Sequence, residues 1–196
     1  MEIIVAFCIG ITLSAACGFR IFVPPLIMSL GAIYFELPLG EEFSWVATYP
    51  AMITFALATF IEILAYYIPV VDNLLDTIEI PTALAVGTML TAATLGDVNP
   101  VLQWSVAIIA GGGVAGMTEG LTTLTRLTST TVTGGMGNPF VSTLEALSSL
   151  VLSILALFVP ILAAIVVIIV LFFAAKKIIK FARKKLSKKD SKIITK

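Results

Sequence analysis

Apolar positions run along this chain in long blocks, with polar residues gathered into short interruptions. Ile3–Phe35 is the first block, Trp45–Ile68 the second, Pro81–Leu95 a short third, Val101–Gly137 a fourth and Phe140–Phe173 a fifth. Runs of this length without a two-residue alternation predict helices that cross lipid rather than barrel strands. A helix rises 1.5 Å per residue, so one straight helix over the first block would be roughly 50 Å long against a hydrocarbon core of about 30 Å. That block carries Gly18, Arg20, Pro24 and Pro25 at its middle. A break near Arg20 is therefore expected, with the chain either bending there or running back.

The fourth block is also too long for one span, and a break is expected near Gly120 and Arg126. Phe140–Phe173 has Pro160 midway and reads either as two helices or as one kinked helix. Pro81–Leu95, at about 15 residues, suits a re-entrant or enclosed segment. Glu36–Ser44, Gly96–Pro100 and Gly134–Pro139 read as loops from their turn residues. The fold expected is an all-α polytopic membrane protein with about six apolar segments. Residues 1–175 form one transmembrane domain and 176–196 a basic tail.

Composition agrees. Hydrophobic residues make up 59% of the chain and charged residues 12%, with mean hydropathy +1.08, where soluble domains carry about a quarter charged. The net charge of zero hides a division. Residues 1–175 hold two basic residues, Arg20 and Arg126, against eleven acids, whereas 176–196 hold ten basic residues against Asp190. Basic residues flanking a span stay cytoplasmic, which places the C-terminus there and suggests the cell membrane. Lys176, Lys177, Lys180, Arg183, Lys184 and Lys185 alternate with apolar residues and form an amphipathic segment suited to anionic lipid. Lipid is a simpler partner than nucleic acid for a tail that follows a span. Glu2 stands where a signal peptide would carry a basic residue, so a removable leader is not expected.

Small residues recur every fourth position at Gly10, Ser14 and Gly18, and again at Gly112, Gly116 and Gly120. They let a second helix approach closely, within one chain or between copies in a homo-oligomer. Eight threonines follow between Thr118 and Thr133, whose hydroxyls either bond their own helix or face a hydrated cavity. In outline each half has an overlong unit with an arginine, then a helix with a glutamate, then a proline. This suggests an inverted pseudo-repeat, about 1–96 and 100–175, as many transporters have.

Five ionisable residues fall within or beside apolar blocks: Arg20, Glu62, Glu119, Arg126 and Glu145. A charge at the bilayer centre costs roughly 2.5–3.5 kcal/mol on insertion scales, so such residues face inward and find partners. Pairing of Arg20 with Glu62, and of Arg126 with Glu119 or Glu145, is one expectation. Three functions stay open. Arginines at helix breaks suit a small anion or an anionic lipid head group, with the glutamates carrying coupling protons. Carboxylates with a hydrated threonine wall suit a cation or proton pathway, with Asp72 and Asp76 as an acidic vestibule; Glu79 shares their face of a short helix, which reads otherwise as a solvated interfacial loop. A scaffold acting through its tail is the third. With no His, no GxSxG, no HExxH and no P-loop, an enzyme is not expected, nor a metal site or cofactor.

Three stretches carry a resemblance. Ala16-Cys17-Gly18-Phe19-Arg20-Ile21-Phe22-Val23-Pro24 resembles a small-Gly-x-Arg-x-aromatic-x-Pro opening. Glu62 with Ile68-Pro69-Val70-Val71-Asp72 and Asp76, and Asn138-Pro139-Phe140-Val141-Ser142-Thr143-Leu144-Glu145, resemble later segments of the same pattern. The pattern is that of domain-of-unknown-function family 4126. The resemblance implies a multi-pass membrane protein without an established activity and supplies no substrate. Two positions depart from it: Tyr66-Tyr67 stands where a charged pair is expected, and Ala146 where an acid often follows Glu145.

Overall fold

The structure is a computed structural model that describes residues 2–96 and 98–176, giving only the backbone for 69–77. Among the described residues it is all helix and turn. The helices are α1 (Ile3–Cys17), α2 (Val23–Tyr34), α3 (Tyr49–Ala65), α4 (Pro69–Thr94), α5 (Pro100–Thr133), α6 (Asn138–Phe158) and α7 (Pro160–Lys176). A 3-10 segment, Glu41–Ala47, meets α3 at 68°.

The first block breaks at 18–22, as expected, and then runs back. Helix α1 is antiparallel to α4: Ser14 Oγ donates to the Gly87 carbonyl and Gly10 abuts Thr91 and Thr94. Toward the other end of α1, Ser149 Oγ of α6 donates to the Ala16 carbonyl, and Arg20 reaches the Ser142 carbonyl. Helix α2 then returns along α6 until Gly31 meets Leu157 and the Phe35 ring packs edge-on against Phe158. The amide of Gly40 donates to the Ala93 carbonyl, and Ile3, Ala6 and Leu39 border one small cavity with Thr94. So α1 begins and α2 ends at the same end of the bundle. At about 22 Å and 18 Å, neither arm is long enough to cross a bilayer. The pair is a helical hairpin with Arg20 at its tip. Pro24 and Pro25 sit in the first turn of α2, where a missing N–H costs least.

Helices α3 to α7 then alternate between the two ends. Tyr67, just past α3, bonds Thr143 near the start of α6, and Phe43, just before α3, packs on Trp104 near the start of α5. Four expectations change here. Pro81–Leu95 is not a separate segment, because α4 runs through Pro81 without a break. The fourth block does not break at Gly120 and Arg126. It is one 34-residue helix with a wide π turn at Ala107–Gly112. That turn is where Gly111 and Gly112 lie against Gly87, Thr88 and Thr91 of α4. A side chain at Gly120 would meet nothing within 4 Å, so Gly120 neither breaks nor packs. The break of the first half thus has no counterpart in the second. Phe140–Phe173 resolves into two helices folded back at Pro160, since Leu144 and Leu152 of α6 share a cavity with Val167 and Leu171 of α7.

Gly18 and Gly116 act as packing sites. A Cβ on Gly18 would lie 2.5 Å from the Ala115 carbonyl oxygen, and Gly116 abuts Leu84. The 134–137 turn does need glycine, with φ +65° at Gly134 and +90° at Gly135.

The burial pattern is that of a membrane-embedded bundle. Ile53, Leu57, Phe60, Ile61, Ile165, Ile168 and Phe172 are exposed, whereas Thr12, Ser14, Ser29, Thr91, Ser149 and the charged residues Arg20, Glu62, Glu79, Glu119, Arg126 and Glu145 are buried. By length and composition α5 and α6 each suffice to cross a bilayer. The bent 3-10/α3 pair makes a third, and four shorter apolar helices accompany them.

Candidate functional site

The polar residues in the bundle interior gather at the hairpin tip. Between Cys17 and Val23 the chain is not helical; the Gly18, Phe19 and Arg20 amides still bond α1 carbonyls, but those of Ile21 and Phe22 need acceptors from elsewhere. Glu62, in the last turns of α3, supplies them. Its Oε1 accepts from the Ile21 amide at 2.7 Å and its Oε2 from the Phe22 amide at 3.1 Å. The carboxylate therefore caps the start of α2, where the helix dipole favours a negative group. The pairing of Arg20 with Glu62 is corrected by this: both Glu62 oxygens are engaged by backbone.

Arg20 turns instead toward α6. Its side chain is 1% exposed, with Nη1 3.2 Å from Glu145 Oε2 and Nη2 donating to the Ser142 carbonyl at 3.0 Å. Arg126, four turns into α5 past the glycines, reaches the same carboxylate from the other side of the cluster. Its Nε lies 3.2 and 3.1 Å from the two Glu145 oxygens, and its Nη2 also donates to Oε2. One carboxylate, 5% exposed, thus bridges both arginines of the domain. The two guanidiniums also pack on a single ring: their Cζ atoms lie 3.9 and 4.1 Å from the centroid of Tyr66.

Glu119 is buried on α5 and accepts from Thr123 Oγ1 at 3.1 Å. Of the two acids expected beside Arg126, Glu145 is bonded to it. Glu79, which reads from sequence as part of an interfacial acidic face, is 4% exposed and interacts electrostatically with Glu119, Arg126, Arg20 and Glu62. Its place follows from spacing: Glu79, Ala83 and Gly87 recur every fourth residue on the side of α4 that meets α1 and α5. Among the described residues, four buried carboxylates accompany two buried arginines.

Much of the threonine stretch bonds back to its own helix. Thr118, Thr125, Thr128 and Thr133 donate to carbonyls one turn back in their own helix. Thr122 bonds the Glu119 and Gly18 carbonyls and so ties α5 to the tip. The side chains of Asp72 and Asp76 and the tail residues Lys177, Lys180, Arg183, Lys184 and Lys185 lie outside the described residues. Lys176 ends α7 with Nζ 5.9 Å from the Phe172 ring. Among the described residues no group of three acids, His or Cys is placed to hold a metal.

Three buried polar atoms at the cluster have no partner: Arg20 Nε, Tyr66 Oη and Ser142 Oγ. Each belongs to a residue that touches an arginine of the pair or is one. A buried unpartnered polar group costs about 1–3 kcal/mol, so such a concentration marks a place for a polar occupant.

The three stretches noted in the sequence meet at this cluster: the Gly18–Pro24 tip, Glu62 with the chain leading to Pro69, and Asn138–Glu145. A family model matches residues 7–180 and spans all three. The chain belongs to the DUF4126 family, a domain of unknown function. No curated protein and no solved structure matches it. Tyr66, where the resemblance implies a charged residue, falls inside the cluster, and its ring substitutes there for the charge expected from sequence.

That substitution is testable. Cation–π contact of a desolvated guanidinium contributes on the order of 1–2 kcal/mol. Tyr66→Leu is expected to lower stability by about 2–3 kcal/mol, since two guanidiniums lose the ring. Tyr66→Phe keeps the ring and removes an unpartnered hydroxyl, so it is expected to melt with the wild type. Thermal unfolding of the purified protein in nanodiscs compares them, and a Phe variant as weak as the Leu variant would assign the stability to the hydroxyl instead.

Proposed function

We infer that this protein moves an anion across the membrane, with Glu145 as its internal counter-anion. One observation carries this reading: a single buried carboxylate is held by two arginines beside the tip of a hairpin that does not cross the bundle. A site that holds a carboxylate so closely has the geometry to hold another anion in its place. When the Glu145 side chain swings aside, the positive charge of Arg20 and Arg126 is left without its counter-anion. A substrate anion then takes the carboxylate's position, and the returning carboxylate displaces it. The substrate is a small anion or an anionic lipid head group. Glu62 keeps the tip in shape throughout by capping Ile21 and Phe22.

The test is flux through liposomes containing the purified protein, with chloride and inorganic phosphate as probes. Arg20→Gln is expected to lose at least about 90% of the flux. Wild-type liposomes no leakier to either anion than empty ones, or full flux through Arg20→Gln, would sink the reading.

A second reading rests on a different observation, the excess of buried carboxylates over arginines. It makes Glu62, Glu79, Glu119 and Glu145 steps in a proton or cation pathway. The reversal potential separates the two, following the anion gradient in the first case and the proton or cation gradient in the second. In either case we place the tail at the cytoplasmic leaflet of the cell membrane, bound to anionic lipid. Were the protein a scaffold instead, removing 176–196 would abolish its role and neutralising the buried charges would cost only stability.

A further inference from the structure

A cavity of about 280 Å³ lies between α1, α5, α6 and α7, and Glu145 forms part of its wall. The rest is mainly apolar, including Ala15, Leu121, Leu152, Val167 and Leu171. The hydroxyls of Thr118, Thr125 and Ser148 beside it are turned to carbonyls of their own helices. Leu144, Val166 and Val170 border it and are 50%, 47% and 56% exposed, which sets its mouth on the apolar flank of the bundle.

The volume equals about nine waters at ~30 Å³ each, yet a wall of this kind does not hold water. A methylene takes up nearly the same space, so one alkyl segment of about nine carbons fills the cavity. The lining agrees on length. Glu145 to Leu152 covers roughly 10 Å of α6 at 1.5 Å per residue, the reach of such a segment when extended. Glu145, which lines the cavity, also holds Arg20 and Arg126, and in that cluster behind it Arg20 Nε, Tyr66 Oη and Ser142 Oγ lack partners. All three can donate. A carboxylate with two oxygens already engages the guanidiniums, so three further donors call for an anion with more acceptor oxygens, as a phosphate has.

We propose that the cavity seats the single alkyl chain of a phosphate-bearing amphiphile, whose head group replaces the Glu145 carboxylate against Arg20 and Arg126. This rests on the anion reading above and names its substrate class.

The probe is radiolabelled decyl phosphate, equilibrated with the full-length protein in phosphatidylcholine nanodiscs. Saturable binding is expected, with decanol and inorganic phosphate at least about tenfold weaker competitors, since each supplies only one half of the recognition. Val170→Trp places a large ring at the exposed mouth and is expected to weaken decyl phosphate at least tenfold while the melting temperature holds. Leu144→Trp, on the facing border, does the same by a second route should the first variant not fold. Decanol competing as well as decyl phosphate, or binding that ignores both tryptophans, overturns the proposal. Chloride or inorganic phosphate flux without decyl phosphate binding overturns the amphiphile site and leaves the transport reading standing. Binding without flux of any anion supports the site and overturns transport.

Discussion

Glu145→Ala is expected to destabilise the protein by about 3–5 kcal/mol, because removing one partner of a buried ion pair leaves the other charge uncompensated. Here one deletion affects two guanidiniums, on Arg20 and Arg126, both nearly inaccessible to solvent. Neither can move to water without opening the bundle. Arg20 is held in the hairpin tip under α6, and Arg126 sits in the interior face of α5. At roughly 2–4 °C per kcal/mol for a chain of this size, the melting temperature should fall by on the order of 10 °C. Glu145→Gln keeps the volume and one acceptor oxygen and should fall between the two. The decisive comparison is the double variant Glu145→Leu with Arg126→Met. Replacing a buried pair by apolar groups of similar size is often neutral, so the double variant should recover part of the loss. Should Glu145→Ala melt within a degree of wild type in nanodiscs, the shared carboxylate is not what holds the arginines.

Glu62→Leu is expected to cost about 2–6 kcal/mol, since it strips the acceptors from two buried amides at about 1–3 kcal/mol each. The effect is local in origin. Ile21 and Phe22 lie where the chain leaves one helix and before it starts the next, so no backbone carbonyl one turn back serves them. Glu62→Gln keeps one acceptor oxygen and should protect one amide. Hydrogen exchange reads this directly: peptides covering Ile21 and Phe22 should exchange at least tenfold faster in the Leu variant, with α5 and α6 peptides less affected. Exchange at the tip that is indifferent to Glu62→Leu would mean that the hairpin needs no cap from α3.

Tyr66 shows why part of the site was hard to read from sequence. A tyrosine after an apolar helix is an ordinary membrane-interface residue. Its contact with both guanidiniums depends on the hairpin tip, α3 and α5 converging, and no local pattern encodes that. Glu79 was more legible, because its four-residue spacing with Ala83 and Gly87 put it on an interior face. Its neighbours Asp72 and Asp76 drew it instead into an apparent surface cluster. The partner of Arg20 lies across more than 120 residues of chain. Arg20 and Glu62 are nearer in sequence, and charge alone favoured that pairing. The structure reverses it because a broken helix leaves amides that need an acceptor, and Glu62 is the carboxylate placed to meet them.

What the sequence determined is the class of the molecule and the location of its first break. Long apolar runs with scarce charges require helices in lipid, since only there are backbone groups satisfied without water. Gly18, Arg20, Pro24 and Pro25 within one run exclude a straight span. Tertiary structure alone decided that the break at Arg20 turns the chain back, while the equally long α5 continues through Gly120 and Arg126. The reason is where backbone polar groups find partners. In α5 the helix satisfies its own amides, and its glycines meet α4 across the π turn. After Cys17 two prolines deny that continuity, and the orphaned amides of Ile21 and Phe22 are met by Glu62 from another helix.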